Sequence, residues 1–470
     1  MFTQSIFELI RETSTNLPAD VAEALIQARN LESKNFRSKL SLAVILKNIE
    51  LAQKQKTPIC QDTGFPTFFV KANPAKWKVI EKAILAATKK ATQEGVLRDN
   101  SVEILSGKNV GNLPKIEFEI SQNSEIEIAL LLKGGGSENV SAQFSLPAET
   151  DSGLAGRDLD GVKKVVLGWI KKTGGKGCSP AIISIVIGGD RAAGLTLAKK
   201  KLLQKIGTEN SNPELAKLEA EIIRAANATK IGAMGLGGAT TLLDCKIATL
   251  NRHPASYFVT LAYSCWATRR GKISLDSKGE FLHDDFSKKV LSENLKLTKI
   301  KKIQLPISEK EVRKLRVGEV VAISGKLFTA RDQVHALVSR QKLPKNLSGL
   351  GVFHCGPIMM KKGKNWRAVA AGPTTSARLD SFTSKFLEKT GVRVFIGKGG
   401  MGVTTQKALK KFGAVYLHAI GGCGAFYASS IKKVCGVDFL EEFGMPEALW
   451  EIEVEDFLAV VGMDAKGGKL

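Results

Sequence analysis

Residues Thr57-Pro58-Ile59-Cys60-Gln61-Asp62-Thr63-Gly64 set a thiol, an amide, a carboxylate and a hydroxyl in four successive positions. The proline and glycine around them force the run out of regular structure: one lacks a backbone donor, the other admits a sharp turn. An apolar core has no use for such a run. A loop that binds a metal and handles protons has. Whatever fold the chain adopts must hold this loop against something that uses a thiol, and the other six cysteines bear on what that is.

Cys60, Cys178 and Cys265 each have polar or glycine-proline surroundings on at least one side, and they lie 118 and 87 positions apart. No C-x-x-C pair occurs, which disfavours a ferredoxin-type local motif and a zinc ribbon. A cysteine is most often a small buried hydrophobe. That reading suits Cys245, Cys355 and Cys435, while Cys423 in Gly421-Gly422-Cys423-Gly424 reads either way. Three thiolates from distant loops suit an iron–sulfur cluster with one iron left without a protein ligand, a Lewis acid open to a substrate hydroxyl or carboxylate. An odd number of cysteines in a large chain argues against a disulfide framework and for a reducing, cytoplasmic setting.

At 470 residues two or three domains are expected. No apolar run reaches transmembrane length. Residues 1–16, with Glu8 and Glu12 among apolar neighbours, read as an amphipathic helix rather than a targeting segment. The net charge of +23 raises nucleic-acid binding as a function. However, the lysines are scattered, aromatics are 6%, and no basic stretch interleaves with them as a base-stacking groove requires. No nucleic-acid or membrane partner is expected; the field can instead help draw in an anionic small molecule.

Helical periodicity marks Val21–Leu46 and Trp77–Ala91, and strand alternation marks Ile116–Ile120 and Ile126–Leu132. A glycine-rich loop, Lys133–Asn139, follows. Val162–Lys172 reads as a helix, Ala181–Ile187 as a buried strand and Arg191–Leu203 as a helix. Residues 270–310 are polar and lysine-rich, fitting a linker or a solvated hairpin. Beyond them, strands at Glu319–Ile323, Val392–Ile396 and Val415–Ile420 and helices at Arg331–Arg340 and Thr404–Phe412 make a small α/β unit. The expected fold is mixed α/β: an N-terminal domain over 1–290, a linker over 291–310 and a smaller C-terminal domain over 311–470.

Several motifs together resemble the class I, iron–sulfur-dependent fumarate hydratases. In the first part these are Thr57–Gly64, Lys133–Asn139, Gly177-Cys178-Ser179-Pro180, Ile231–Gly238, Arg252-His253-Pro254 and Ser264-Cys265-Trp266. In the second they are Thr329–Asp332, Gly372–Arg378, Gly397–Gly400 and Gly421–Ala425. The resemblance spans essentially the whole chain, in family order, with the two parts fused. It implies an iron–sulfur domain, a C-terminal domain of the swivelling type, a homodimer, and reversible hydration of fumarate to L-malate. L-tartrate dehydratases and mesaconases are close relatives and stand as alternatives.

By the resemblance, Cys60, Cys178 and Cys265 hold a [4Fe–4S] cluster. Asp62 delivers a proton to the departing hydroxyl, and Gln61, Arg98, Gly136, Arg331, Arg378 and Lys398 bind the dicarboxylate. Thr374 abstracts the carbon-bound proton, a role for which an alcohol needs an acceptor such as Asp62 or His253. Because the domains share these residues, closure is expected to complete the site. Two readings from other classes compete. Gly397-Lys398-Gly399-Gly400-Met401-Gly402 follows a strand and precedes a helix, as a dinucleotide site does. The next strand lacks the acidic residue a ribose requires, so a carboxylate-binding loop is preferred. A cluster-containing nucleic-acid-binding regulator is the remote alternative.

Overall fold

The computed structural model describes residues 1–32, 36–286 and 300–470. They form two compact units. The first comprises Met1–Leu46, Gly64–Ala87 and Pro114–Lys289; the second comprises Lys47–Thr63, Thr88–Leu113 and Val290–Leu470. Residues 47–63 and 88–113, assigned by sequence to the first domain, therefore pack with the C-terminal unit. Of the expected linker, 291–299 lie outside the described residues, while Lys301–Gln304 is a strand and Glu309–Val312 a helical turn. No helix among the described residues is long and apolar enough to cross a membrane.

In the first unit, helix Phe2–Thr15 buries Ile6, Leu9, Ile10 and Thr13, the stripe its helical spacing dictates. It lies on a five-stranded sheet ordered Phe281–Asp284, Arg269–Leu275, Ile126–Lys133, Phe65–Ala72, Lys115–Ile120. Part of the segment read as linker or hairpin is thus an interior strand. Arg269–Leu275 hides its two arginines, 1% exposed at Arg269 and 7% at Arg270, and leaves Lys272 exposed. The Arg270 guanidinium is neutralised by Asp20, 250 residues away. Within the described part of that segment, Phe281–Asp284 is the solvated arm of a hairpin.

A second sheet, ordered Ala142–Ser145, Phe258–Ser264, Ala181–Gly188, Leu242–Leu250, carries the cysteine loops. Every residue of Ala181–Gly188 is buried. Helices Leu159–Thr173 and Pro213–Ala228 cover this sheet, placing Val166, Trp169 and Ile222 in one core with Ile183, Ile185 and Ile247. The expected loop Lys133–Asn139 turns instead into a short helix, Gly135–Val140. The turn at Gly64 is compulsory: its φ is +63°, and a Cβ there would lie 1.8 Å from the Lys133 carbonyl oxygen.

In the second unit, Val320–Thr329, Gly351–Phe353, Val394–Gly397 and Val415–His418 are parallel neighbours. The long strand Leu449–Met463 runs antiparallel to both Val415–His418 and Val320–Thr329, closing the five into a ring. Closure leaves these strands no open edge between them. Helices Asp332–Arg340, Thr383–Thr390 and Val403–Phe412 share a core built on Val338, Phe386, Phe395 and Leu409. The outlying strand Ile431–Asp438 exposes Cys435, correcting its reading as a buried thiol: the strand pairs on one side only and its alternate side chains face water. Cys245 and Cys355 are buried as expected, and burial pushes both thiols up.

Candidate active site

Ligands of parallel α/β sheets gather beyond the carboxyl ends of the strands. In the second unit those ends deliver Arg331 two residues after Thr329, His354 to Gly356 after Phe353, and Lys398 after Gly397. The Cys60 loop is docked among them. Gly424 donates from its backbone to the Ile59 carbonyl at 2.9 Å. Gly372 donates to the Gln61 carboxamide oxygen at 2.8 Å, and a Cβ at Gly372 would sit 2.3 Å from that oxygen. Gln61 is 3% exposed and anchors the loop. The Asp62 backbone amide in turn donates to the Cys60 sulfur at 3.4 Å.

Arg98 is the hub. Its guanidinium donates to the Gly356 carbonyl at 2.6 Å and to Asn100 Oδ1 at 2.7 Å, and pairs with Asp62 at 3.3 Å. Its backbone amide and the Asn100 side chain both donate to Thr63 Oγ1, at 3.1 and 3.0 Å. Burial lowers the Arg98 pKa, opposed by Asp62 and reinforced by the like charge of Arg331. Gly356 has to be a glycine, since a Cβ would fall 2.5 Å from Arg331 Nη1 and 2.6 Å from the Pro446 carbonyl. Arg331 faces Glu447 at 3.1 Å, and Arg378 faces Asp332 at 2.9 Å. Burial pushes Glu447 up against the pull of Arg331. Burial pushes Asp332 up most strongly, but its hydrogen bond to Arg378 and the charges of Arg378 and Arg331 together leave it below the ordinary carboxylate range. The field of Asp62 reaches Arg378 as well.

Thr374 and Lys398 are stitched backbone to backbone. Thr374 donates to the His354 carbonyl at 2.7 Å, Lys398 to the Thr374 carbonyl at 3.1 Å, and Ser376 to the Lys398 carbonyl at 3.0 Å. The second unit thus brings together Cys60, Gln61, Asp62, Arg98, Arg331 and Arg378, with Lys398 at the end of strand Val394–Gly397 and Thr374 in the loop hydrogen-bonded to it. Sequence reasoning missed Asn100, Glu447 and the pairing role of Asp332. Asn100, two residues after Arg98, was open to notice; nothing in the sequence marks Glu447.

The first unit brings together Cys178 and Cys265. Trp266 donates from its backbone to the Cys178 carbonyl at 3.2 Å, and Cys178 adopts a left-handed φ of +63°. The Tyr263 ring packs on the backbone of Gly177, next to Cys178, and its buried hydroxyl has no hydrogen-bond partner among the described residues. Lys133, 2% exposed in its side chain, pairs with Glu138 at 2.9 Å and donates to Ser141 Oγ at 3.1 Å. Burial pulls its ammonium down to about 8 despite Glu138. Glu138 also pairs with Lys199 at 2.6 Å. Gly136 is the second residue of the short helix, and His253 stands exposed in a loop, its Nδ1 accepting from the Ala255 amide at 3.1 Å.

Among the described residues no three His, Cys, Asp or Glu side chains gather closely enough to hold one metal ion. An iron–sulfur cluster distributes its thiolates over different irons, and two converging thiols beside an unsatisfied hydroxyl suit such a group. A cavity of about 720 Å³ in the first unit, lined by Phe69, Lys71, Glu119, Lys200, Arg270 and Lys272, includes none of the expected site residues. Three of its cations are already paired, Lys200 with Glu119 at 2.5 Å, Lys272 with Glu127 and Arg270 with Asp20. The dinucleotide-like motif does sit between strand Val394–Gly397 and helix Val403–Phe412. Its helix start is occupied by Asp380, which accepts from Gly402 at 2.7 Å and from Thr405 at 3.3 Å, where a pyrophosphate would bind.

Residues 3–274 match the family described as fumarate hydratase (Fumerase), and residues 276–470 the family described as fumarase C-terminus. The chain is 44% identical over 489 residues to a putative fumarate hydratase class I of Geobacillus stearothermophilus, covering 99% of this chain and 95% of that one. Its first part is 41% identical over 286 residues to a putative L(+)-tartrate dehydratase subunit alpha of Methanocaldococcus jannaschii, covering 58% of this chain and 98% of the relative. Its last part is 39% identical over 168 residues to the L(+)-tartrate dehydratase subunit beta of Escherichia coli, covering 35% and 83%. Two family matches in tandem and a full-length relative agree: the chain belongs to the class I fumarate hydratase family and is a hydro-lyase.

Proposed function

We propose that this enzyme catalyses the reversible hydration of fumarate to L-malate. The observation that carries the reading is the convergence of Arg98, Arg331 and Arg378 with Asp62 in one unit. A four-carbon dicarboxylate presents two groups that guanidinium forks grip bidentately, each charged hydrogen bond contributing roughly 1.5–3 kcal/mol. Arg331 and Arg378 can turn from Glu447 and Asp332 to the substrate, while Arg98, tied to Gly356 and Asn100, keeps Asp62 in place. The Asp62 side chain is 28% exposed, open enough to reach a ligand. In dehydration it would give its proton to the departing hydroxyl and recover it in the reverse direction. The roles of Thr374 as proton acceptor from carbon, His253 as a base and Lys398 and Gly136 as substrate contacts come from the family resemblance.

Cys60, Cys178 and Cys265 would hold a [4Fe–4S] cluster, which when bound supplies a Lewis acid for the substrate hydroxyl. The convergence of Cys178 and Cys265 and the unsatisfied Tyr263 hydroxyl support that choice. The near full-length relative named as a fumarate hydratase favours fumarate over tartrate, whose named relatives are separate alpha and beta subunits. A homodimer in a reducing cytoplasm accompanies this reading.

The test is anaerobic reconstitution with iron and sulfide, followed by ultraviolet absorbance of the alkene with malate, tartrate and mesaconate in parallel. Malate and fumarate are expected to interconvert fastest, with activity lost in air. Faster turnover of tartrate would replace the substrate assignment. Cys178→Ala is expected to take up no chromophore and to fall to background activity; full activity in that variant would sink the cluster reading.

A further inference from the structure

Tyr263 lies near the end of strand Phe258–Ser264, two residues before Cys265. It is 3% exposed and packs on the Gly177 backbone: a Cβ at Gly177 would fall 2.4 Å from the ring and 2.9 Å from the phenolic oxygen. Cys178 follows at once. The two thiol-bearing turns are tied by the Trp266 amide and the Cys178 carbonyl, at 3.2 Å. Both thiols lie within electrostatic reach of the phenol. From another side Trp169 meets the ring edge-on at 6.0 Å, and the Tyr263 backbone amide donates to Ser141 Oγ at 3.2 Å, so the ring is held in orientation.

Everything about this side chain is fixed except a partner for its hydroxyl, which is buried with none among the described residues. A buried hydroxyl without a partner costs about 1–3 kcal/mol, and a phenylalanine ring would fill the same space without that cost. A phenol is a donor in search of an acceptor, and sulfur bearing negative charge is one.

We propose that Tyr263 is a positioning residue that donates its phenolic hydrogen to sulfur of the iron–sulfur group held by Cys178 and Cys265, raising its reduction potential and slowing its loss. Hydrogen bonds to the sulfurs tune cluster potentials because they stabilise the more negative, reduced state. This inference rests on the cluster reading above.

Tyr263→Phe in the full chain tests it, because the two forms of the protein should respond with opposite signs. Without iron and sulfide, the variant should melt at the same temperature as the unaltered protein or higher, having lost an unsatisfied group. After anaerobic reconstitution it should show a lower reduction potential and release iron to a chelator roughly two- to tenfold faster, the worth of one hydrogen bond. A lower melting temperature before reconstitution, or failure to fold, would give the hydroxyl a structural role and overturn the proposal. So would a potential and a release rate equal to those of the unaltered protein. If the unaltered protein itself assembles no chromophore, the cluster reading fails and this inference with it; if it assembles and the variant matches it, this inference alone fails.

Discussion

In the second unit Arg98, Arg331 and Arg378 each face a carboxylate of that unit, Asp62, Glu447 and Asp332. In the first, the turns bearing Cys178 and Cys265 are tied together beside a phenol that no described residue satisfies. The arginine cluster balances its own charge, so it can fold without a ligand, and on the proposed reading it would trade an internal pair for a substrate one. The thiol-bearing turns leave a polar group unanswered, which on the proposed reading an iron–sulfur group would answer. Internal pairing is the mark of a surface that exchanges partners. On the proposed reading, an orphaned donor beside two thiols is a place for a resident group.

The comparison can be broken most forcefully at Asp62. Asp62→Asn keeps the shape and removes the proton, and kcat should fall by roughly 10²–10⁴ while the melting temperature barely moves. A fall in stability with kcat preserved would make Asp62 a structural partner of Arg98 and dissolve the active-site reading of the arginine cluster.

His335 sharpens the other side, being an orphan in the second unit. Both of its ring nitrogens are buried without partners among the described residues, and the ring stacks on Phe386 at 4.4 Å and lies 5.2 Å from His354. Burial pulls its pKa to about 3, with Asp332 opposing. An unfolded imidazole takes up its proton near 6.5. Between those values the unfolded chain binds more protons, so stability is lost as the pH falls through that window, by at most about 1.4 kcal/mol per pH unit from this residue. His335→Phe should therefore flatten the pH dependence of urea unfolding between pH 6.5 and 4, and should stabilise the protein whether or not iron is present. Tyr263→Phe should stabilise at most the iron-free form. An unchanged pH slope would show that the ring is not the proton-linked group.

The smallest effect belongs to Arg378. Its pair with Asp332 is partly open, 36% and 43% exposed in the side chains, so Arg378→Ala should cost less than about 1 kcal/mol of stability. Its substrate role should appear as a raised KM, by roughly tenfold or more, with kcat less affected. Equal changes in neither KM nor stability would remove Arg378 from the site.

Much of the fold was legible where periodicity was clean. Helices Phe2–Thr15, Trp77–Gln93 and Leu159–Thr173 and strand Ala181–Gly188 follow from the spacing of their apolar residues. Legibility failed where the partner was distant. Arg269–Leu275 looked solvated because cations dominate its start, yet Asp20 lets Arg270 enter a sheet. Gly134 to Gly136 looked like loop, yet Gly135 opens a helix. Leu449–Met463, which closes the ring of strands, gave no reading at all, since its pattern is set by three different neighbours along one strand.

The chemistry of the site was in the sequence: thiols in polar loops, a carboxylate two residues from one of them, arginines in glycine-rich turns. A residue's identity fixes which proton, charge or sulfur it can offer. What that offer meets was decided only by the tertiary structure. It gave Arg98 to Asp62 and Asn100, gave Arg331 to Glu447, and left the Tyr263 hydroxyl with no partner. Pairing and orphaning depend on distances between residues tens to hundreds of positions apart, and no local pattern of side chains encodes those distances.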